Sequence, residues 1–321
     1  MSTLNPDASA ALRRALLDLG FDRVGFTRAA PVTDHARYRD WLAAGCAGPL
    51  DYLERHAALR EDPRHLLPEA RSVIVVSLNY NDGQPAPPPA PGRGRVSRYA
   101  QGRDYHKVLR RRLERAAALL EREHGARRTR ICVDSAPLLE RSLAAAAGLG
   151  WIAKNTLLID ERLGSWTFLG ALLTDLELPA DVPVAERCGT CTACLVACPT
   201  DALRPEAPGW LDARHCISTL TIEWRGEFGE GQGALLGDHV FGCDICQEVC
   251  PWNRAAPVSA EPDFAPRPGQ RQPLLAELLA MDRAAFVARF AGSALMRAGA
   301  AGLARNARAA QDNEGPSEAS G

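Results

Sequence analysis

Eight cysteines fall into two runs: Cys188, Cys191, Cys194 and Cys198 before Pro199, and Cys243, Cys246 and Cys250 before Pro251, with Cys216 between the runs. The first run has the Cys-x2-Cys-x2-Cys-x3-Cys-Pro spacing in which three thiolates hold one iron-sulfur cube and the fourth crosses to a second. The second run is a shortened copy, and Cys216 can supply its missing ligand. The crossing rule puts Cys188, Cys191, Cys194 and Cys250 on one [4Fe-4S] cluster, and Cys198, Cys216, Cys243 and Cys246 on the other. Zinc also takes Cys-x2-Cys pairs, but a four-ligand structural zinc site gains nothing from the longer spacing. A disulfide framework would call for an exported chain. Arg13-Arg14 could begin a twin-arginine signal, yet Asp18 stands where an apolar stretch must run, so an amphipathic helix is expected instead. Two clusters passing single electrons in the cytoplasm are therefore expected. Cys46 and Cys132 lie outside the pattern and read as small buried hydrophobes.

A ferredoxin needs far less than 321 residues. Residues 1–182 must do something else, and the usual nucleotide signatures are absent. Gly92-Arg93-Gly94 follows a proline-rich loop rather than a strand and lacks a third glycine, and there is no P-loop. The Asp-x-His-x-x-Gly box that offers a histidine to cobalamin is also absent, because Asp104-Tyr105-His106 ends on Leu109. Asp134 follows the strand-like Arg130-Ile131-Cys132-Val133 and precedes a helix through Leu149. This is the place where open α/β sheets bind ligands, although an aspartate in a turn is common for local reasons. Lys154 is one of only two lysines, which suggests a compact ammonium in a chain that otherwise uses arginine.

The elements that would position these groups alternate. Helices are expected over Ala10–Leu19, Asp34–Ala44 and Tyr105–Glu123, and strands over Phe21–Phe26 and Ser72–Leu78. Leu109, Leu113, Ala116 and Leu120 mark the buried face of the long helix. Gly83–Gly94 must be a loop, and residues 148–170 a turn and a hairpin. Residues 183–257 form a cysteine module and 258–308 a short helical region, with a polar, disordered tail over 309–321. Hydrophobic residues make up 46% and charged residues 24%, and no apolar run is long enough to span a bilayer. Net charge is −1, but Arg93–Arg130 carries thirteen Lys and Arg against four Asp and Glu. That segment is either a solvated helix face or a contact for nucleic acid.

Four stretches carry a resemblance: Arg98-Tyr99-Ala100 through His106; Val133-Asp134 through Glu140-Arg141; Gly148-Leu149-Gly150-Trp151-Ile152-Ala153-Lys154-Asn155-Thr156; and Gly242-Cys243 through Trp252-Asn253. Together they resemble epoxyqueuosine reductases over residues 10–305. The resemblance implies an α/β (α+β) fold: a nitroreductase-like cobalamin-binding domain, a ferredoxin-like double-cluster module and a helical C-terminus. It implies an oxidoreductase that uses cobalamin and two [4Fe-4S] clusters to reduce epoxyqueuosine at the wobble position of tRNA, fed by an external low-potential donor, as a cytoplasmic monomer with no membrane partner. Asp134 resembles the proton donor of that family, a role for which it must stay protonated near neutral pH. Arg60, Tyr99, Ala100, Lys154, Asn155, Thr156, Leu158, Leu169, Ser218 and Thr221 would line the corrin pocket, and Trp224 and Arg225 would meet the anticodon loop. Ala153 replaces the usual glycine of the family and is expected to crowd its turn. A helical extension found in longer members stops soon after Ala307. A reductive dehalogenase-like corrinoid enzyme and a ferredoxin-type carrier subunit are the competing readings.

Overall fold

In the computed structural model, which describes residues 4–314, α1 (Pro6–Asp18) leads into β1 (Arg23–Arg28), α2 (His35–Ala43), α3 (Asp51–Arg55) and β2 (Ser72–Asn79). A proline-rich loop then reaches β3 (Arg95–Val96), α4 (Tyr105–His124), β4 (Thr129–Cys132) and α5 (Glu140–Ala146). The hairpin β5 (Trp151–Ile152) and β6 (Leu158–Ile159) precedes β7 (Thr167–Thr174). The cysteine module holds α6 (Ala193–Val196), α7 (Ile217–Ile222), β8 (His239–Phe241) and α8 (Ile245–Glu248). Three helices follow: α9 (Leu275–Ala280), α10 (Arg283–Phe290) and α11 (Gly299–Asn313).

The continuous apolar run of β2 follows from its place in the sheet. The order is β1-β2-β7-β4, so β2 and β7 are central, and every residue of β2 is buried. Ile74, Val76 and Leu78 face a core shared with Leu12, Leu16 of α1 and Leu109, Leu113 of α4. Val73 and Val75 face the opposite core, with Leu143 and Ala144 of α5. A strand covered on both sides has no need of polar alternation. The stripe on α4 is the expected one. The helix is capped by Asp104 and ends at Gly125 in the left-handed conformation, with Arg122 and His124 in its last turn.

Two expectations are corrected here. All pairings in this sheet are antiparallel, so the crest of an open parallel sheet is not what places Asp134. The chain instead bends irregularly from 134 to 139, and α5 starts only at Glu140. The expected tail also begins too early: α11 continues to Asn313 because Ala307, Ala309 and Ala310 are buried against the module. The rest of that tail, from 315, lies outside the described residues. The cysteine module is tied to the sheet domain by β3, which pairs with β8 in parallel. A further core joins Val96, Val240, Phe241 and the last three helices. Among the described residues no helix is long and apolar enough to cross a membrane.

Gly25 of β1 lies directly under the carbonyl of Ala147 and the side chain of Leu149, which a Cβ would strike. Gly25→Ala is therefore expected to lower stability by about 2 kcal/mol through overpacking, read as a reduced urea midpoint with an unchanged slope.

Candidate functional site

The turn after β4, the β5–β6 hairpin and the cysteine loops enclose a cavity of about 340 Å³. Tyr99, Tyr105, Phe168, Leu158 and Leu169 give it apolar walls, and Asp134, Glu140, Asn155, Thr156 and Ser218 supply polar groups. Cys198, Cys216, Cys243 and Cys246 complete the lining. These are the four cysteines that the crossing rule assigns to one cluster. Cys188, Cys191, Cys194 and Cys250 lie outside the cavity lining.

All ten cysteines are free thiols. Burial, reinforced by the neighbouring Cys250, Cys188 and Cys191, pushes the Cys194 thiol up to about 11. Burial also raises Cys243 to about 12, with Asp244, Cys216 and Cys198 adding to it. Each thiol thus feels members of its own set, and a metal that bound there would have to displace protons. Among the described residues no three His, Cys, Asp or Glu side chains converge on a single ion. Four thiols around an iron-sulfide cube have a different requirement from four ligands of one zinc.

Asp134 is held in an uncommon backbone conformation, φ +51°. Aspartate tolerates this region better than most residues, and such outliers gather at functional sites. Its N–H donates to Glu140 Oε1 at 2.8 Å, and its Oδ2 meets His106 Nε2 at 3.1 Å. Burial works against ionisation of Asp134, but the hydrogen bond and charge of His106 outweigh it and leave its carboxyl below the usual range. The carboxylate form here departs from the expected protonated one. For His106, burial disfavours the charge, yet hydrogen bonds to Asp104 and Asp134 raise it to about 9. Glu140 is raised to about 8 by burial and then by the Asp134 charge. The protons of this site therefore rest on His106 and Glu140.

The second strained residue is Thr156, φ +67°, at the tip of the β5–β6 hairpin. A β-branched residue is unusual there. Its carbonyl accepts from Arg141 Nη1 at 2.9 Å, and next to it Asn155 Nδ2 donates to the carbonyl of Cys246 at 3.4 Å. The hairpin tip thus spans from α5 to the second cysteine run.

The family model described as epoxyqueuosine reductase QueG, DUF1730, matches residues 60–135, and one for a 4Fe-4S double cluster binding domain matches residues 187–253. The epoxyqueuosine reductase of Xanthomonas campestris pv. campestris is 43% identical over 91% of this chain and 83% of its own. That of Escherichia coli K12 is 43% identical over 92% of this chain and 79% of its own. The chain belongs to the epoxyqueuosine reductase family. A solved epoxyqueuosine reductase with an epoxyqueuosine-modified tRNA-Tyr stem loop superposes with TM-score 0.86 at 32% identity, covering 96% of this chain and 81% of that one. The enzyme from Streptococcus thermophilus gives 0.85 at 29%, covering 98% and 83%.

Against the pattern read for epoxyqueuosine reductases, six residues expected at the corrin are in the cavity lining: Tyr99, Asn155, Thr156, Leu158, Leu169 and Ser218. Four others are not. Arg60 is buried behind the lining and donates from Nη1 to the Leu138 carbonyl at 2.8 Å, which braces the Asp134 loop. Ala100 is packed in the third core, and its carbonyl accepts from Gln270. Lys154 turns away and donates from Nζ to the carbonyls of Gly189 (2.5 Å) and Cys191 (2.9 Å), so its ammonium secures the first cysteine loop. Thr221 is fully buried; its Oγ1 donates to the Ile217 carbonyl and accepts from Gly242 N–H, fixing the turn before Cys243. Trp224 packs on Phe228 and donates from Nε1 to the Glu227 carbonyl, while Arg225 is exposed and holds the Arg297 carbonyl. Ala153 has no positive φ, so the residue that replaces glycine costs no backbone strain.

Sequence reasoning left His106 and Glu140 without roles. An Asp at the cap of a helix with His two residues on was the readable signal for the first, because the cap turns that ring back on itself. Nothing local marks Glu140, which acquires its partner only when the Asp134 loop folds over it. Since Glu140 is raised above the ordinary 4.5 to about 8, the folded state keeps a proton that the unfolded chain loses across this window. Stability should therefore decline as pH rises between the two values. Urea midpoints measured along this range should show a weaker decline in Glu140→Gln, which still accepts from Asp134 N–H.

Proposed function

We propose that this epoxyqueuosine reductase reduces epoxyqueuosine to queuosine at the wobble position of tRNA, the last step of queuosine biosynthesis, with cobalamin and two [4Fe-4S] clusters. The observation that carries the reading is the shared cavity: Asp134 and four cysteines assigned to a single cluster border one space. Turning an epoxide into an alkene breaks two C–O bonds, forms one C=C bond and releases water, which takes two electrons and two protons. Electrons and protons must meet at one place, and this cavity is lined by groups suited to each.

The donor sets fit the clusters, since eight free cysteines fall into two groups of four. The cavity suits a corrinoid by its chemistry. Leu158, Leu169 and Phe168 offer apolar area to a flat macrocycle, and Asn155, Thr156 and Ser218 offer partners to the carboxamides on its rim. Bound there, cobalamin would supply a centre that gathers two reducing equivalents from carriers that pass one at a time. Asp134 would give protons to the leaving oxygen, and the aromatic walls would limit water. The tRNA reading is supported by the solved relative with its modified stem loop. The basic segment Arg93–Arg130 adds a charge suited to phosphates, and Arg225, exposed beside Trp224, remains a candidate contact. An external low-potential donor would reduce the clusters, and we take the protein to be a cytoplasmic monomer.

Anaerobic reconstitution with iron, sulfide and cobalamin, followed by mass spectrometry of nucleosides from tRNA that still carries the epoxide, tests the reading. Cobalamin-dependent appearance of queuosine is expected. Asp134→Asn should retain iron and corrinoid but lose turnover by roughly a hundredfold or more, as removal of a general acid does. Full activity in that variant would end the proton-donor assignment, and cluster loading without corrinoid binding or conversion would leave only an electron carrier.

A further inference from the structure

We propose that Asp104, His106 and Asp134 form a single proton-delivery chain, in which His106 supplies to Asp134 the proton that Asp134 passes to the substrate oxygen. The inference rests on the functional reading above and extends it to the source of the protons. His106 acts through Asp134 and is a positioning residue in that sense, distinguished by the proton it carries.

The geometry begins at the first turn of α4. Asp104 caps the helix, accepting the His106 N–H at Oδ1 (3.0 Å), and the same oxygen meets His106 Nδ1 at 2.8 Å. The far nitrogen, Nε2, stands 3.1 Å from Asp134 Oδ2. An ionised carboxylate only accepts, so a ring held between two of them uses both nitrogens as donors and is an imidazolium. The ring is further fixed by stacking on Tyr105 (centroids 4.1 Å apart), which stacks in turn on Phe168 (4.2 Å, 3° between planes).

The titratable and charged groups facing the chain agree with this state. Asp104 and Asp134 face His106, and their hydrogen bonds overcome burial to raise it. Glu140, Arg141 and Tyr105 surround Asp134, with Tyr99, Tyr52, Glu223 and Arg297 also within its field. The side chains of His106 and Asp134 keep 37% and 60% of their surface exposed, so His106 can exchange protons with water even when a substrate seated over Asp134 covers that carboxyl. Asp134 opens on the cavity. A proton can then enter at the imidazole and leave at the carboxyl.

The balance closes. The epoxide takes two electrons from the external reductant by way of the clusters, and its oxygen takes two protons and leaves as water. For each proton, the proton on His106 Nε2 moves across the hydrogen bond to the Asp134 carboxylate, the carboxylic acid so formed gives it to the substrate oxygen, and solvent recharges the ring.

The test is single-turnover conversion of epoxide-bearing tRNA by the full-length reconstituted holoenzyme, followed from neutral to alkaline pH. The loaded chain exists below the His106 value, so wild-type activity should fall as pH rises through about 9. Asp104→Asn keeps a good helix cap but removes the charge behind the ring; the alkaline limb should move to lower pH. His106→Gln should slow conversion roughly a hundredfold, and added imidazole should restore part of the rate in His106→Gly. Iron content and the corrinoid spectrum should match wild type in all three. The proposal is overturned if the His106 variants keep the wild-type rate and pH profile. It is equally overturned if they lose activity with no imidazole rescue, or if Asp104→Asn leaves the limb in place. Failure of the wild-type protein to convert the tRNA would overturn the functional reading, and this one with it.

Discussion

A buried guanidinium joins the two halves of the cavity. Arg98 pairs with Asp82 and with Glu248 (2.8 Å), lies 4.4 Å over the Trp166 ring, and donates to Asn81 Oδ1 and the Gln84 carbonyl. Its backbone N–H donates to Asp244 Oδ2 at 2.6 Å. Asp82 and Gln84 begin the proline-rich loop, Trp166 precedes β7, and Asp244 and Glu248 lie between the cysteines of the second run. Arg98, through its side chain and its backbone N–H, therefore ties the second cysteine run to the sheet. Charges removed from water stabilise a fold only while every partner is in place; taking one away leaves the others stranded at a cost of about 3–5 kcal/mol. Such a link is strict about geometry, which is what a site with strained residues on one wall and cysteines on another requires.

The same fixing recurs on the far side of the module. Asn306 of α11 donates to the carbonyls of Thr221 (2.8 Å) and Val240 (2.9 Å), and Arg305 donates to those of Leu220, Trp224 and Gly226. These bonds satisfy the C-terminal end of α7, the helix that carries Ser218 and begins just after Cys216. The C-terminal helices are thus part of the support for the cavity. It also explains why Trp224 is fixed by its own surroundings: its carbonyl is held by Arg305 and its ring by Phe228, leaving Arg225 as the exposed neighbour.

Much of this was legible in the chain because local physics wrote it there. The run Ser72–Leu78 had to be buried on both faces, Leu109-Leu113-Ala116-Leu120 had to face a core, and the cysteine spacing pointed to a double-cluster domain, which the family model over residues 187–253 matches. What could not be read depended on tertiary placement. Strand direction was ambiguous because β4 and β7 are sequentially remote, so the expected open-sheet crest proved to be an irregular bend after an antiparallel strand. Lys154 was expected at a corrin; the structure gives its ammonium the Gly189 and Cys191 carbonyls, partners that periodicity cannot name. Asp134 was expected to stay protonated through desolvation beside a corrin ring. The structure adds a cationic neighbour that reverses the sign, and that neighbour comes from a helix start 28 residues earlier.

This reversal separates two ways of keeping a proton ready. A carboxylic acid neutralised by desolvation stores its proton on the atom that must release it, and each turnover leaves a bare charge in a site built to repel charge. An aspartate paired with imidazolium stores the proton one bond away, so loss of a proton from Asp134 is made good along a contact that already exists. On the proposed assignment electrons enter from the other side: Cys191 is exposed, its set lies outside the cavity, and Lys154 secures its loop, while the remaining set faces inward. Reduction of an epoxide needs both currents in equal number. On that assignment the fold keeps their routes apart until the cavity, with the imidazole at the start of α4 and the thiols in the module that Arg98 fastens to the sheet.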